Sequence, residues 1–447
     1  RDGKLVACAG SDAVDVINSD TGAVVAHLGA AGVRAAAFSP LGTYLLTWQP
    51  MAKPKDGDTQ PVGNLVVWNV ASGSEAMRTV QKALRKSLWP TVQWSADETI
   101  AVRANADELQ ICNGSQLTAR SLACVAVPKL AAFSVAPGAA PYRLATFVPE
   151  VKGKPGRVCI WRYPGNTDVP TAAKSSFRAE EATLRWSPCG DALLGLLSTD
   201  VDATGQSYYG ASGVFLLHSD GGLDCGIQPP KDGPVHDVQW APAGRRFAVV
   251  AGTMPAQASL YDFRGEPTFK FGEAHRNTIS WSRHGRFLCL AGFGNLAGDM
   301  DFWDAARLRK LGCASSHCAV SYGWSPDSRY FMTATCAPRM NVDNNYKIFR
   351  YNGEGPLVVQ PLEYLFEAVW RPADPGVYPD RPPSPGRKLA ATGAAPASSS
   401  GGAAPAKPQA YRPPRATGSL SALMRAEREG NSASGKVRRS DAPGATG

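Results

Sequence analysis

The chain has 447 residues, 44% of them hydrophobic, and a net charge of +9. That is too long for one ordinary compact domain unless it is built from repeats, and too apolar to be disordered throughout. The charge is lopsided: residues 371–447 hold 12 Lys+Arg and 5 Asp+Glu, so +7 of the +9 lies there and the remainder is nearly neutral.

A basic end of this kind points to an acidic partner, of which nucleic acid is the commonest. No apolar run approaches the ~18 residues that a membrane helix needs. No charged-then-apolar leader is visible. The ten cysteines form no CxxC pair or compact framework, which is the usage of reduced, mostly buried thiols in a cytoplasmic protein.

In chain order, the sequence opens at Arg1-Asp2-Gly3, which reads as the tail of a unit begun upstream. An aromatic residue followed by a turn then recurs at Phe38-Ser39-Pro40-Leu41-Gly42, Trp94-Ser95-Ala96-Asp97, Phe133-Ser134 and Trp186-Ser187-Pro188-Cys189-Gly190. It returns at Trp240-Ala241-Pro242-Ala243-Gly244, Trp281-Ser282-Arg283-His284-Gly285, Trp324-Ser325-Pro326-Asp327-Ser328 and Trp370-Arg371-Pro372. The spacing is roughly 40 to 55 residues, a period that marks stacked supersecondary units.

After Trp281, the turn "SRHG" leads into the apolar run "RFLCLAG", and a second turn, "FGNLAGD", leads into "MDFWD". Each unit thus predicts a meander of about four short strands, with inner runs apolar on both faces. Long helical periodicity is missing, and repeated four-stranded units of this length are the blades of an all-β, WD40-like β-propeller. Six of the eleven tryptophans, at 94, 186, 240, 281, 324 and 370, hold the repeat position and read as blade-packing residues. Because the Trp370 strand opens a further blade, the ring is expected to need closing strands from before Arg1.

The propeller is expected over 1–372, followed by a disordered Pro/Gly/Ala/Ser-rich linker over 373–418 and a basic tail over 419–447. Within that tail "SLSALMRAERE" (419–429) places Leu420, Leu423 and Met424 on one face of a short helix, with Ser419 at its N-cap.

Chemistry is sparse. "AGFGNLAGD" (291–299) has GxGxxxG spacing and a strand after it, so it reads as a tight hairpin rather than a phosphate loop. No GxxxxGK[ST] occurs, and Cys313, His317, Cys318 and Cys336 match no common zinc module. Asp200 and Asp202 read as a solvated hairpin tip rather than an acid–base pair. No catalytic set, metal or cofactor is expected. Arg412, Arg415, Arg425, Arg428, Lys436, Arg438 and Arg439 fit either a solvated linker or RNA contact, since phosphate attraction asks little more than a flexible basic cluster.

Four inter-strand segments are more particular than the blades: "STDVDATGQSYYG" (198–210), "GPVHDVQW" (233–240), "LAGFGNLAGDMDFWD" (290–304) and "TATCAPRMNVDNNYKIFRY" (333–351). With "AYRPPR" (410–415) they resemble, in matching order, the eukaryotic translation initiation factor 2A family. The resemblance implies a nine-bladed propeller that binds the small ribosomal subunit. It also implies GTP-independent, codon-dependent placement of initiator methionyl-tRNA, with mRNA and other initiation factors as further partners and the protein a monomer.

Asp200, Asp202, Tyr208, Tyr209, Arg339, Asn341 and Tyr346 become the candidate ribosome-docking positions. Family members carry extra N-terminal strands and a long Lys-rich helical region after the Tyr-Arg-Pro-Pro segment. Here only residues 419–429 and a short basic stretch stand in place of that region. The alternative is a non-catalytic propeller scaffold similar to the large propeller subunit of initiation factor 3, which would carry an RNA-recognition domain before its propeller.

Overall fold

The computed structural model describes residues 2–51, 62–105, 107–177, 179–199, 212–337, 339–374 and 376–384. Among them are eight antiparallel sheets, seven of four strands and a first one of three, each wound in sequence order without crossovers. The innermost strands of sheets 2 to 8 are Ala35–Phe38, Val92–Trp94, Ala132–Val135, Glu181–Trp186, Val235–Trp240, Thr278–Trp281 and Ser321–Trp324. Those of sheets 3 to 8 neighbour one another consecutively. Those of sheets 2 to 5 share one cavity of about 500 Å³, so they surround a common axis. This is a β-propeller.

The apolar runs are strands because alternate side chains leave opposite faces, and here both faces are covered. In sheet 7, Leu288 and Leu290 pack with Ala248, Val250 and Leu260 of sheet 6. Cys289 and Ala291 of the same strand pack with Phe331 and Phe349 of sheet 8. One such core lies between every consecutive pair of sheets, seven in all.

The repeated Trp-Ser now has a cause. The Ser39, Ser95, Ser187, Ser282 and Ser325 amides each donate to the carbonyl of the residue opening the next strand. Their hydroxyls accept in return from the amides of Tyr44, Ile100, Ala192, Phe287 and Tyr330. One small side chain therefore closes the hairpin from both sides. Where Asp lies two residues on, its carboxylate accepts from that hydroxyl. Burial pushes Asp97 up, but the bonds from Ser95, Tyr142 and Thr99 outweigh it and hold the carboxyl at about 2.

The tryptophans join the sheets. The Trp186, Trp240 and Trp324 indoles donate to Ser134 O, Arg185 O and Ser280 O on the preceding inner strand, at 3.3, 2.8 and 3.0 Å. Trp370 does the same to Gly323 O at 3.0 Å, although no ladder pairs residues 366–372.

The residues after Trp370 lie against the segment just ahead of the first strand, Leu5–Ala9: Arg371 Nε donates to Gly3 O at 3.0 Å and Arg371 Nη1 pairs with Asp20 at 2.6 Å. Gly3 has φ +71°, and a side chain there would collide with Pro372 O. Between sheet 8 and sheet 1, among the described residues, no apolar core forms.

Ser95 and Ser282 are fully buried, so replacing either by Ala orphans an interior strand amide. The expected loss is about 1–3 kcal/mol, read from urea midpoints, whereas Ser72→Ala in an exposed turn should stay within about 0.5 kcal/mol of the parent.

Candidate functional site

Sheets 7 and 8 carry the most particular rim. The glycine cluster is a hairpin loop as expected: Phe287–Ala291 pairs antiparallel with Asp299–Asp304, and the Gly298 amide donates to Gly292 O. Gly298 has φ +91° and a side chain on it would strike Ser316 O, so glycine is required there. With strands on both sides, no helix N-terminus is available for a phosphate.

Arg339 reaches from the 336–344 loop of sheet 8 and donates from Nη2 to Asn295 Oδ1 at 2.7 Å. The 292–298 loop is tied to sheet 8 a second time by Phe293, whose ring stacks at 4.7 Å on Tyr322 of the inner strand Ser321–Trp324. Asn344 holds the 336–344 loop shut, donating to Met340 O while its Oδ1 accepts from the Leu365 amide.

Arg339 and Asn341 are thus exposed on a loop that is pinned from below. Tyr346 lies apart from them in the strand Asn345–Arg350, half-buried opposite Ala334. Asp200, Asp202, Tyr208 and Tyr209 lie outside the described residues, as do Arg412, Arg415, Arg425, Arg428, Lys436, Arg438, Arg439 and the 419–429 helix.

Polar staples join neighbouring inner strands along the axis. Asp237 Oδ2 accepts from the Ile279 amide on the next inner strand at 3.0 Å, and Gln93 Oε1 accepts from Val135 likewise. Burial pushes the Asp237 carboxyl up despite Arg185 at 3.4 Å. Its oxygens are committed to holding strands together. Among the described residues no group of three or more His, Cys, Asp or Glu could hold a metal. No helix there is long and apolar enough to cross a membrane.

One set of residues escaped sequence reasoning. The chain does not leave the propeller at residue 373. Arg283 Nη1 donates to Ala373 O, Arg286 grips Asp380 with Nε at 2.8 Å, Arg329 Nη2 donates to Pro382 O, and the Ser384 amide donates to Tyr351 Oη. Composition hides this strap, because the groups that hold it are arginines in the turns of sheets 7 and 8. The only trace in the sequence is that "SRHGR" and "SPDSR" carry Arg where "SPLGT" and "SADET" carry Thr.

The junction of sheet 8 with sheet 1 forms a concavity of about 850 Å³, lined by Tyr330, Ile348, Leu357, Val358, Trp370 and Tyr378 among others. Val358 in its wall is exposed, as are Tyr364, Phe366 and Val369 in the segment that follows in the chain.

Residues 174–368 match the family model described as eukaryotic translation initiation factor eIF2A. The eukaryotic translation initiation factor 2A of Dictyostelium discoideum is 38% identical over 388 residues, 85% of this chain and 61% of that one. The Schizosaccharomyces pombe protein of the same name is 34% identical over 83% of this chain and 63% of its own length. The chain therefore spans about three fifths of the length of these curated relatives. A solved structure titled as a crystal structure of the eukaryotic initiation factor superposes with a TM-score of 0.75 at 31% identity, covering 83% of this chain and 89% of that one.

The Arg286 hydrogen bonds hold the Asp380 carboxyl below its usual range. The pair's contribution is therefore complete above the unfolded value of about 3.9 and is lost as pH falls through the lowered one. Limited proteolysis at neutral pH should leave a fragment ending near Ser384. Arg286→Ala should move that end back towards Pro372, as should acid in the parent protein, both read by mass spectrometry.

Proposed function

Because the chain belongs to the eukaryotic translation initiation factor 2A family, we propose that it acts in cytoplasmic translation initiation as a non-catalytic factor. It binds the small ribosomal subunit and promotes GTP-independent, codon-dependent placement of initiator methionyl-tRNA. The observation that supports this reading best is the rim of sheets 7 and 8. It lies within the matched residues 174–368 and presents Arg339 and Asn341 from a loop fixed by Asn344 and tied to Asn295. A pre-organised polar rim on a rigid ring suits docking to a shaped surface, since little ordering cost remains to be met on binding.

The basic residues between Arg412 and Arg439 add attraction to phosphate without demanding a fixed geometry. mRNA and neighbouring initiation factors are the partners this division leaves to them. The alternative, a scaffold that touches only proteins, differs in one respect that can be measured: it needs no affinity for RNA.

Deleting residues 411–447 removes the seven basic side chains named above. RNA affinity should fall, and the slope of log affinity against log salt should flatten by up to about 5 if every one meets a single-stranded phosphate. Substituting Arg339, Asn341 and Tyr346 together by Ala should instead weaken binding to purified small subunits with little change in salt slope. Titrations of labelled initiator tRNA, single-stranded RNA and subunits at several salt concentrations decide between the readings. No RNA binding by the parent protein at low salt would leave the scaffold.

A further inference from the structure

A second concavity opens between sheets 6 and 7, beside the 292–298 hairpin, whose Phe293 is held by Asn277 of the adjoining connector. It has a volume of about 630 Å³, and its walls include Phe271, Arg276, Met300, Asp301, Trp303 and Lys310. Arg276 sits in the connector that leads from the outer strand of sheet 6, Pro267–Ala274, to the inner strand of sheet 7. Its side chain is only 4% exposed.

Nη2 donates to Asp301 Oδ2 at 3.1 Å, while Lys310 takes the other oxygen of that carboxylate at 2.7 Å. One carboxylate thus serves two cations. Arg276 Nε and Nη1 are buried without an acceptor, and so is Trp303 Nε1 in the same wall. Burial lowers the Arg276 pKa and Asp301 only partly restores it, although a guanidinium stays protonated. Buried donors without acceptors are rare in folded proteins, and each asks for an explanation.

We infer that this cavity is a binding site for a carboxylate side chain carried by an extended acidic peptide. Three unpartnered donor nitrogens from two side chains call for an acceptor-bearing ligand. The sign and size of its charge follow from the rest of the wall. Glu273, Asp299 and Asp301 also line the cavity, and Glu273 is already paired with Lys231 at 2.9 Å. A phosphate carrying nearly two charges meets those carboxylates at greater cost than a carboxylate carrying one.

The peptide form follows from the edges. The outer strands of both sheets, Pro267–Ala274 and Arg309–Ser315, end their ladders with an unpaired side, and Cys313, Ala314 and Ser315 of the second line the cavity. A chain added along that edge gains main-chain hydrogen bonds while alternate side chains turn into the cavity. Phe271 and Trp303, whose rings meet edge-on at 5.1 Å, flank the entering side chain with apolar surface.

The test uses the full chain and a fluorescein-labelled peptide of alternating Glu and Ala, set against the matching Gln-Ala peptide, oligouridylate and free glutarate. The Glu-Ala peptide should bind about tenfold more tightly than the Gln-Ala one, the scale of a buried charge-assisted contact. It should also shift the Trp303 indole N–H signal in an NMR spectrum, which Trp303→Phe assigns by removing it.

Trp303→Phe deletes one donor and keeps the ring, and should weaken the Glu-Ala peptide about threefold or more. Arg276→Lys should weaken it further. If the lysine variant does not fold, the phenylalanine variant still decides. Equal affinity for the two peptides, an unmoved Trp303 signal, or peptide binding unaffected by Trp303→Phe each overturn the proposal. A shift of the same signal by oligouridylate would make the site one for phosphate, and glutarate binding as tightly as the peptide would make it one for a free dicarboxylate. Either result also overturns it.

Discussion

The ring depends on a hydrogen bond from one inner strand to the next. Sheets in a propeller meet through side chains, which pack without fixing direction, so something must set each sheet's height and tilt against its neighbour. Here an indole N–H does so at four junctions, reaching the backbone of the preceding inner strand. Asp237 and Gln93 do the converse, reaching forward to the following strand's amide. These bonds lie near the axis, where the strands are closest and water is most restricted, so an unmade one would leave a polar group buried. The apolar cores further out then fill a geometry already set.

The rim inherits its order from that arrangement. Arg339 can be held by Asn295 only because sheets 7 and 8 stand at a fixed spacing, with Phe287 against Trp324 and Phe302 against Phe331 between them. The strap inherits it too. Arg283 and Arg286 belong to one sheet and Arg329 to the next, and a Pro-rich segment with no ladder of its own is kept in place by carbonyl and carboxylate contacts to both.

Much of the fold was legible because its causes are local. Trp-Ser followed by a turn residue closes a hairpin through its own hydroxyl, so each copy reports a structure set within about seven residues. Runs such as Phe287–Ala291 announce burial on both faces by their composition alone. The hairpin at 292–298 could be told from a phosphate loop because "MDFWD" follows it as a strand.

What was not legible rests on partners distant in sequence. Asp380 reads as one acid in a Pro-rich stretch until Arg286 is beside it, and Arg276 is a lone arginine in a connector with no spacing to mark it. The meeting of Arg371 with Gly3 joins positions at opposite ends of the described propeller. Of the candidate docking residues, the structure brings Arg339 and Asn341 onto one loop and leaves Tyr346 in a strand facing away from sheet 7. No sequence pattern separated those three.

The strap gives sheets 7 and 8 a shared outer brace. Arg283 and Arg286 hold it from one sheet and Arg329 from the next, so splaying the two sheets apart must break contacts there as well as the Trp324 bond to Ser280 O. Two plates clamped along two lines resist twisting better than plates clamped along one, and the loop that presents Arg339 stands on the pair clamped in this way.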